Sequence, residues 1–257
     1  MTEPRRPLVA GNWKMHTSVP EALNLVTSIR QKLEPAPAAD VVLLPPFISI
    51  WPVQQLLLDE LRIEVGAQDG FWEKAGAFTG QVSAEMLRDS CQYLLAGHSE
   101  RRQLFGDTDE IVRRKLDAAL RAGLRPLLAV GETASERAAD QTVDVLRRQV
   151  RSGLTQLEPA DLCRCVIAYE PVWAIGSGQT ALDTEITAAV SGIRQLIDEI
   201  VPGAGVMVRV LYGGSVTSDS APAILNLAGV DGALVGGASL DPDEFCAIVA
   251  AAEPDRS

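Results

Sequence analysis

Residues 165–181 read Cys-Val-Ile-Ala-Tyr-Glu-Pro-Val-Trp-Ala-Ile-Gly-Ser-Gly-Gln-Thr-Ala. The first five run without alternation into a carboxylate, Glu170, and then into a proline- and glycine-punctuated loop over 171–181. A stretch that is apolar at nearly every position, rather than at every second one, is what a parallel strand buried on both faces requires. Seven more such runs lie at 7–11, 41–44, 62–67, 93–96, 127–130, 206–211 and 233–235. Longer segments of helical periodicity separate them. Over 111–122, Ile111, Leu116, Ala119, Leu120 and Gly123 fall on one side while Arg113, Arg114, Asp117 and Arg121 cover the other. A second such segment covers 142–157. Asp183 or Thr184 before Glu185, and Asp219 or Ser220 before Pro222, read as helix starts.

Strict strand–helix alternation leaves two architectures, an open doubly wound sheet or a closed barrel. Eight equal units with no Gly/Ser linker favour the second: an α/β fold, a single closed (β/α)8 barrel of eight parallel strands ringed by helices. We expect one domain over 1–257, with its core at about 7–253. The 257 residues, 47% hydrophobic and 22% charged, suit a barrel of this kind, whose usual length is roughly 250 residues.

A formal net charge of −11 disfavours nucleic acid and acidic lipid as partners, so any anionic ligand must be drawn by a few local groups. The positions of the four lysines, Lys14, Lys32, Lys74 and Lys115, are therefore informative. Cys91, Cys163, Cys165 and Cys246 form no Cys-x-x-Cys pair, and with His16 and His98 the only histidines a metal site has little to build from. We expect no metal. If 163–165 is strand, the two thiols there share a face. The first seven residues lack an apolar core, and no apolar stretch is long enough to span a bilayer, which gives the expectation of a cytoplasmic protein.

In parallel barrels the chemistry sits on the loops at the C-terminal strand ends. After the first run stand Asn12 and Lys14, after the fourth His98 and Glu100, and after the sixth Glu170. After the seventh and eighth stand two glycine turns, Gly213-Gly214-Ser215 and Gly236-Gly237. Backbone N–H groups there can face an anion closely because no side chain intervenes. Tight turns are the plain alternative for each alone; two at one corner point to phosphate. Lys14 alone reads as a solvated loop lysine, and a lone histidine more often as structural than as catalytic. Convergence on one rim changes both readings. Glu170 is the strongest candidate, a carboxylate at the end of a core strand followed by a loop whose closure would exclude water.

These residues resemble the triosephosphate isomerase family along essentially the whole chain. The strings are Gly-Asn-Trp-Lys-Met (11–15), Gly-Ala-Phe-Thr-Gly (76–80), Gly-His-Ser-Glu-Arg-Arg (97–102), Ala-Tyr-Glu-Pro-Val-Trp-Ala-Ile-Gly (168–176), Tyr-Gly-Gly-Ser-Val (212–216) and Val-Gly-Gly-Ala-Ser-Leu (235–240), in the family's order and spacing. The resemblance implies the TIM-barrel fold and interconversion of a triose phosphate ketose with its aldose. By it, Glu170 is the base, His98 a neutral electrophile and proton shuttle, Asn12 and Lys14 stabilise the enediolate, and Glu100 orients Lys14. Gly176, Ser215, Gly236 and Gly237 would hold the phosphate. The loop 171–181, with Pro171, Val172, Trp173, Gly178, Thr180 and Ala181, would close as a lid. No cofactor is implied. The segment 68–82, with Phe78 and Thr79 at its tip, would insert into a second copy to make a homodimer.

Five positions depart from the pattern: His16 where Asn is usual, Gln81 for an acidic residue, Ala129 for a frequent Cys, Ser177 for Thr, and Gln179 for Lys or Arg. They leave open a paralogous barrel isomerase of a tetrulose phosphate. A non-catalytic phosphate-binding scaffold is a more distant alternative, since it would have no use for the set Asn12, Lys14, His98 and Glu170.

Overall fold

The computed structural model describes residues 5–33, 36–58, 63–175 and 180–252. Eight strands, β1 (Leu8–Asn12), β2 (Asp40–Leu44), β3 (Ile63–Ala67), β4 (Tyr93–Ala96), β5 (Arg125–Val130), β6 (Val166–Tyr169), β7 (Arg209–Tyr212) and β8 (Gly232–Val235), close into a barrel in chain order. Every pairing is parallel, and β1 closes the cylinder by pairing Leu8 with Gly232 through Gly11 with Val235. Around it run α1 (Val19–Lys32), α2 (Phe47–Leu56), α3 (Ala84–Leu87), α4 (Ser99–Leu104), α5 (Asp109–Arg121), α6 (Ala134–Ala138), α7 (Thr142–Leu154), α8 (Pro159–Leu162), α9 (Asp183–Ile200), α10 (Ala221–Leu225) and α11 (Pro242–Ala251).

The apolar runs lack polar alternation because both faces of each strand are covered. On β1, Leu8 and Ala10 point into the barrel while Val9 packs against the helices. The interior is filled by Leu8, Ala10, Val42, Leu44, Tyr93, Leu95, Leu127, Ala129, Val166, Ala168, Leu211 and Leu234. It is a packed core and not a channel. Gly66 on β3 makes room for the largest of these: a Cβ there would lie 3.1 Å from Tyr93 Cβ and 3.3 Å from Leu44.

Three expectations need correcting. The seventh strand begins at Arg209, not at 206, because Ala204–Val206 is a 3-10 turn and Val206 and Met207 face solvent. On α5 the buried face is Val112, Lys115, Leu116, Ala118 and Ala119, while Ile111 and Leu120 are half-buried and Gly123 is exposed. A lysine on the inner face displaced the expected centre; its charge is met by two carboxylates, described below. Cys163 is exposed in the turn before β6 and Cys165 is buried, so the two thiols share no strand face. The helix starts fall where expected but without the expected side-chain caps: Leu182 precedes α9, its N–H donating to Glu185 at 2.8 Å, and Ser220 precedes α10 with no side-chain cap hydrogen bond. Among the described residues, no helix is long and apolar enough to cross a membrane, and no group of three or more His, Cys, Asp or Glu side chains is disposed to hold a metal ion.

Candidate active site

The C-terminal rim carries a cavity of about 310 Å³ whose lining includes Asn12, Lys14, His98, Glu170, Gly213, Gly214, Ser215, Gly236 and Gly237. Five strands, β1, β4, β6, β7 and β8, deliver these groups. Asn12 ends β1, and its side-chain Oδ1 accepts the Lys14 N–H at 3.1 Å. This turn holds Lys14 in a left-handed backbone conformation, φ +54°, which few side-chain-bearing residues adopt. The Gln68 amide fixes it further, donating to the Lys14 carbonyl at 2.8 Å and to the Leu44 carbonyl at 2.9 Å. The ammonium then reaches Glu100 Oε1 at 2.6 Å. At the far corner it stands beside Gly236, where a Cβ would lie 3.4 Å from Lys14 Cε.

His98 caps α4 with its own side chain, Nδ1 accepting the Glu100 N–H at 3.3 Å. A nitrogen that accepts from a backbone amide carries no proton, so the ring proton sits on Nε2. That nitrogen lies 3.1 Å from Glu170 Oε1. The arrangement is a neutral imidazole offering one N–H to the cavity.

Glu170 follows β6 and is 2% exposed. Its N–H donates to the Val130 carbonyl at 2.8 Å, continuing the β5–β6 ladder one residue past the strand. Gly131 allows this: a Cβ there would sit 1.7 Å from the Glu170 carbonyl oxygen. The carboxylate accepts the Ser99 N–H at 2.9 Å through Oε2. Its described partners are thus an amide and an imidazole rather than a cation.

The two glycine turns form the remaining wall. After β8 the chain enters a 3-10 turn, Gly237–Leu240, and Ser239 closes it by donating from N and Oγ to the Gly236 carbonyl at 2.8 and 2.6 Å. The first N–H groups of such a turn have no partner within it. Ser215 and Val216 line the same corner from the loop after β7.

Of the segment 171–181, Pro171 is buried, Val172, Trp173 and Ala174 form a short 3-10 turn, Thr180 is exposed and Ala181 is buried. Gly176 and Gly178, with Ser177 and Gln179, lie outside the described residues. The turn is anchored by a group that sequence reasoning overlooked. Glu132, buried after β5, accepts from Trp173 Nε1 at 2.7 Å and from Tyr169 OH at 3.2 Å, and its carbonyl accepts the Val172 N–H at 3.1 Å. Burial pushes its carboxyl above the ordinary carboxylate range, against the pull of those donors. The Arg137 guanidinium lies 3.5 Å over the Trp173 ring. Ser99 and Gln68 were likewise not singled out. The signal available was the place of Gly131-Glu132-Thr133 directly after an apolar run.

The segment 68–82 stands beside the cavity. Its tip has an internal reason for order: Phe71 stacks on Trp72 at 4.1 Å and meets Phe78 at 4.7 Å, and Phe71 pairs with Ser83 across the loop base. Phe78 nonetheless remains 42% exposed, and Thr79 is exposed.

A proton acceptor, a neutral N–H donor and an ammonium therefore surround one small cavity with amide-lined turns at one end. Such a set can move a proton between neighbouring carbons and stabilise the charge that develops on oxygen. The family model described as triosephosphate isomerase matches residues 7–252. The triosephosphate isomerase of Moorella thermoacetica is 48% identical over 246 residues, covering 95% of this chain and 98% of its own length. That of Syntrophotalea carbinolica is 47% identical over 248 residues, with 95% and 98% covered, and that of Symbiobacterium thermophilum 44% over 255, with 98% and 99% covered. On this match, spanning nearly the whole barrel, the chain belongs to the triosephosphate isomerase family.

Proposed function

We infer that the protein interconverts dihydroxyacetone phosphate and D-glyceraldehyde 3-phosphate by proton transfer through an enediolate. The observation that carries this reading is the approach of Glu170 Oε1 to His98 Nε2, 3.1 Å apart in the cavity that Lys14 also lines. Glu170 removes the proton from the carbon beside the carbonyl; the electron pair of that C–H bond forms the carbon–carbon double bond of the enediolate, and the carbonyl π pair moves onto the oxygen. The His98 Nε2–H meets that oxygen and then passes protons between the two oxygens. Glu170 returns its proton to the neighbouring carbon, so atoms and electrons balance within the substrate. Asn12 and Lys14 stabilise the enediolate, with Glu100 holding the ammonium in place. Gly176, Ser215, Gly236 and Gly237 bind the phosphate through backbone N–H groups. Substrate entry requires Glu170 to leave the Ser99 N–H and turn toward the bound carbon. The segment from Pro171 to Ala181 closes over it and keeps water from the enediolate.

The reaction is tested by comparing turnover of dihydroxyacetone phosphate with that of a four-carbon ketose phosphate. A large preference for the triose is expected. Preference for the tetrulose phosphate would replace this reading with its paralogue, and turnover of neither would leave a binding scaffold.

The chain also reads as one half of a two-fold homodimer. Met15, Phe47, Phe78, Leu104 and Phe105 are exposed apolar residues near the same rim. Lys14, Met15, Gln68, Glu100, Arg101 and Phe105 border a second cavity, of about 190 Å³; on this reading it receives the Phe78-Thr79 tip of another copy. Sedimentation at low micromolar concentration is expected to give a dimer, and Phe78→Asp a monomer. We read the enzyme as cytoplasmic, serving glycolysis and gluconeogenesis; cell fractionation tests the location.

A further inference from the structure

Of the four lysines, Lys115 is the buried one among those described, its side chain 2% exposed on the inner face of α5. Its ammonium donates to Asp69 Oδ1 at 2.7 Å and to Asp107 Oδ2 at 2.5 Å. Arg101 closes the circuit, its Nε lying 3.1 Å from Asp69 Oδ2 and 3.0 Å from Asp107 Oδ2. Two cations and two carboxylates cancel in a ring whose Lys115, Asp69 and Asp107 side chains are nearly enclosed. Withdrawing such charges from water costs as much as, or more than, their attraction returns, and well-packed apolar residues are often at least as stable. Fold stability is therefore a weak reason for the ring. Its geometry supplies a stronger one.

Two members of the ring stand one step from the reaction centre. Asp69 follows Gln68, whose amide holds the Lys14 and Leu44 carbonyls. Arg101 lies in α4, where its N–H donates to the His98 carbonyl at 2.9 Å, and the same helix presents Glu100 to the Lys14 ammonium. The Asp107 N–H returns to the Arg101 carbonyl at 3.1 Å, so the chain leaving α4 is tied to it before α5 starts. The ring thus joins the loop after β3, which fixes Lys14, to the helix that His98 caps. Lys115 bridges both from a third element and touches neither the cavity nor its catalytic groups.

We propose that Lys115 is a positioning residue for the isomerisation: through the buried ring with Asp69, Asp107 and Arg101 it sets the registry between the loop that fixes Lys14 and the helix that carries His98. The proposal rests on the isomerase reading above. Lys14 in its left-handed conformation and His98 at a helix cap each have little freedom of their own, so a relative shift of the two segments moves one reacting group against the other. Misplacement of about 1 Å by a change far from the chemistry can cost roughly a hundredfold in rate.

Two variants separate positioning from simple stability. Lys115→Met leaves two buried carboxylates sharing one guanidinium, and is expected to lower Tm by roughly 10 °C. Lys115→Met/Asp69→Asn removes one charge of each sign, keeps the volumes, and leaves the Arg101–Asp107 pair. Its Tm is expected to return to within about 3 °C of the parent. Its kcat for dihydroxyacetone phosphate is expected to stay at least about tenfold down, with KM changed less than about threefold. Since the chain has only two histidines, ¹⁵N imidazole NMR reports on His98 directly, and a shift of its Nδ1 signal is expected in the double variant. Recovery of both Tm and kcat in the double variant would overturn the proposal and leave the ring a stabilising feature. Should the parent protein show no isomerase activity, that reading falls by itself, and an unmoved His98 signal in the double variant then overturns the proposal independently.

Discussion

The two poles of the barrel hold similar kinds of residue and put them to opposite uses. At the N-terminal pole, Arg209 donates to Asp40 at 2.7 Å and to Tyr93 OH at 3.0 Å, while Arg125 pairs with Glu64 and lies 4.1 Å over the Tyr93 ring. Arg6 adds a second cation to Asp40 at 3.0 Å. Each described charge there has an opposite charge in contact. At the C-terminal pole, Lys14 is paired with Glu100, but Glu170 is buried against an amide and a neutral imidazole. One pole is a plug; the other, on the proposed mechanism, is a reagent. What separates them is whether the carboxylate is given a cation: half-buried Asp40 and Glu64 each contact a guanidinium, while buried Glu170 contacts none among the described residues.

The largest expected effect tests the reactive pole. Glu170→Gln keeps the shape and the Ser99 contact but removes the proposed base. Turnover is expected to fall by at least about a thousandfold, with binding of inorganic phosphate largely retained and Tm unchanged or raised. A mild loss of rate would mean that another group is the base and that the contrast between poles is misdrawn. Lys14→Met comes next. It removes the ammonium beside the Gly236 turn in a protein of net charge −11, and is expected to lower kcat/KM by roughly a hundredfold or more, with phosphate affinity falling alongside. Retained phosphate affinity would assign the anion site to the backbone alone.

Both poles were unequally legible in the sequence. Strands could be read from uninterrupted apolar runs because helices cover one face and the barrel interior the other. The error at 206–208 arose where an apolar run lies outside the sheet. His98, Glu170 and the glycine turns stand out because each follows such a run directly. Glu132 does not, although it also follows one: its burial depends on Trp173, 41 residues away, folding back over it. Lys115 was hidden for the same reason. Its carboxylate partner Asp69 is 46 residues distant, so hydropathy alone assigns the lysine to solvent. Buried charge is decided by tertiary pairing, which a local pattern does not carry.

Arg209→Met tests the plug. The substitution leaves Asp40 with Arg6 and Tyr93 with Arg125, so a cost of about 2 kcal/mol is expected, a drop of roughly 6 °C in Tm, with kcat within about twofold of the parent. An activity loss comparable to that of Lys14→Met would erase the division of labour between the poles.

The smallest effect is expected at Glu132, which sharpens the comparison because it shares burial with Glu170 but anchors the turn at Val172–Ala174 rather than lining the cavity. Its carboxyl is raised by burial, despite hydrogen bonds from Trp173 and Tyr169. A carboxyl raised in the folded state binds a proton that the unfolded chain has already released. The native state therefore holds more protons between the two values, and stability falls as pH rises from the ordinary carboxylate value, near 4.5, through the folded one. Glu132→Gln keeps an oxygen for Trp173 Nε1 and Tyr169 OH while removing the ionisation. Stability at neutral pH is expected to be equal or up to about 1 kcal/mol higher, and the decline above the ordinary carboxylate value to flatten, as followed by urea unfolding at a series of pH values. Turnover should change by less than about fivefold, since Trp173 keeps its anchor and only the charge behind the hydrogen bonds from Trp173 and Tyr169 is lost. A much larger loss of turnover at unchanged stability would mean that the charge on Glu132, and not merely its oxygen, acts on the reaction through the turn that Trp173 belongs to.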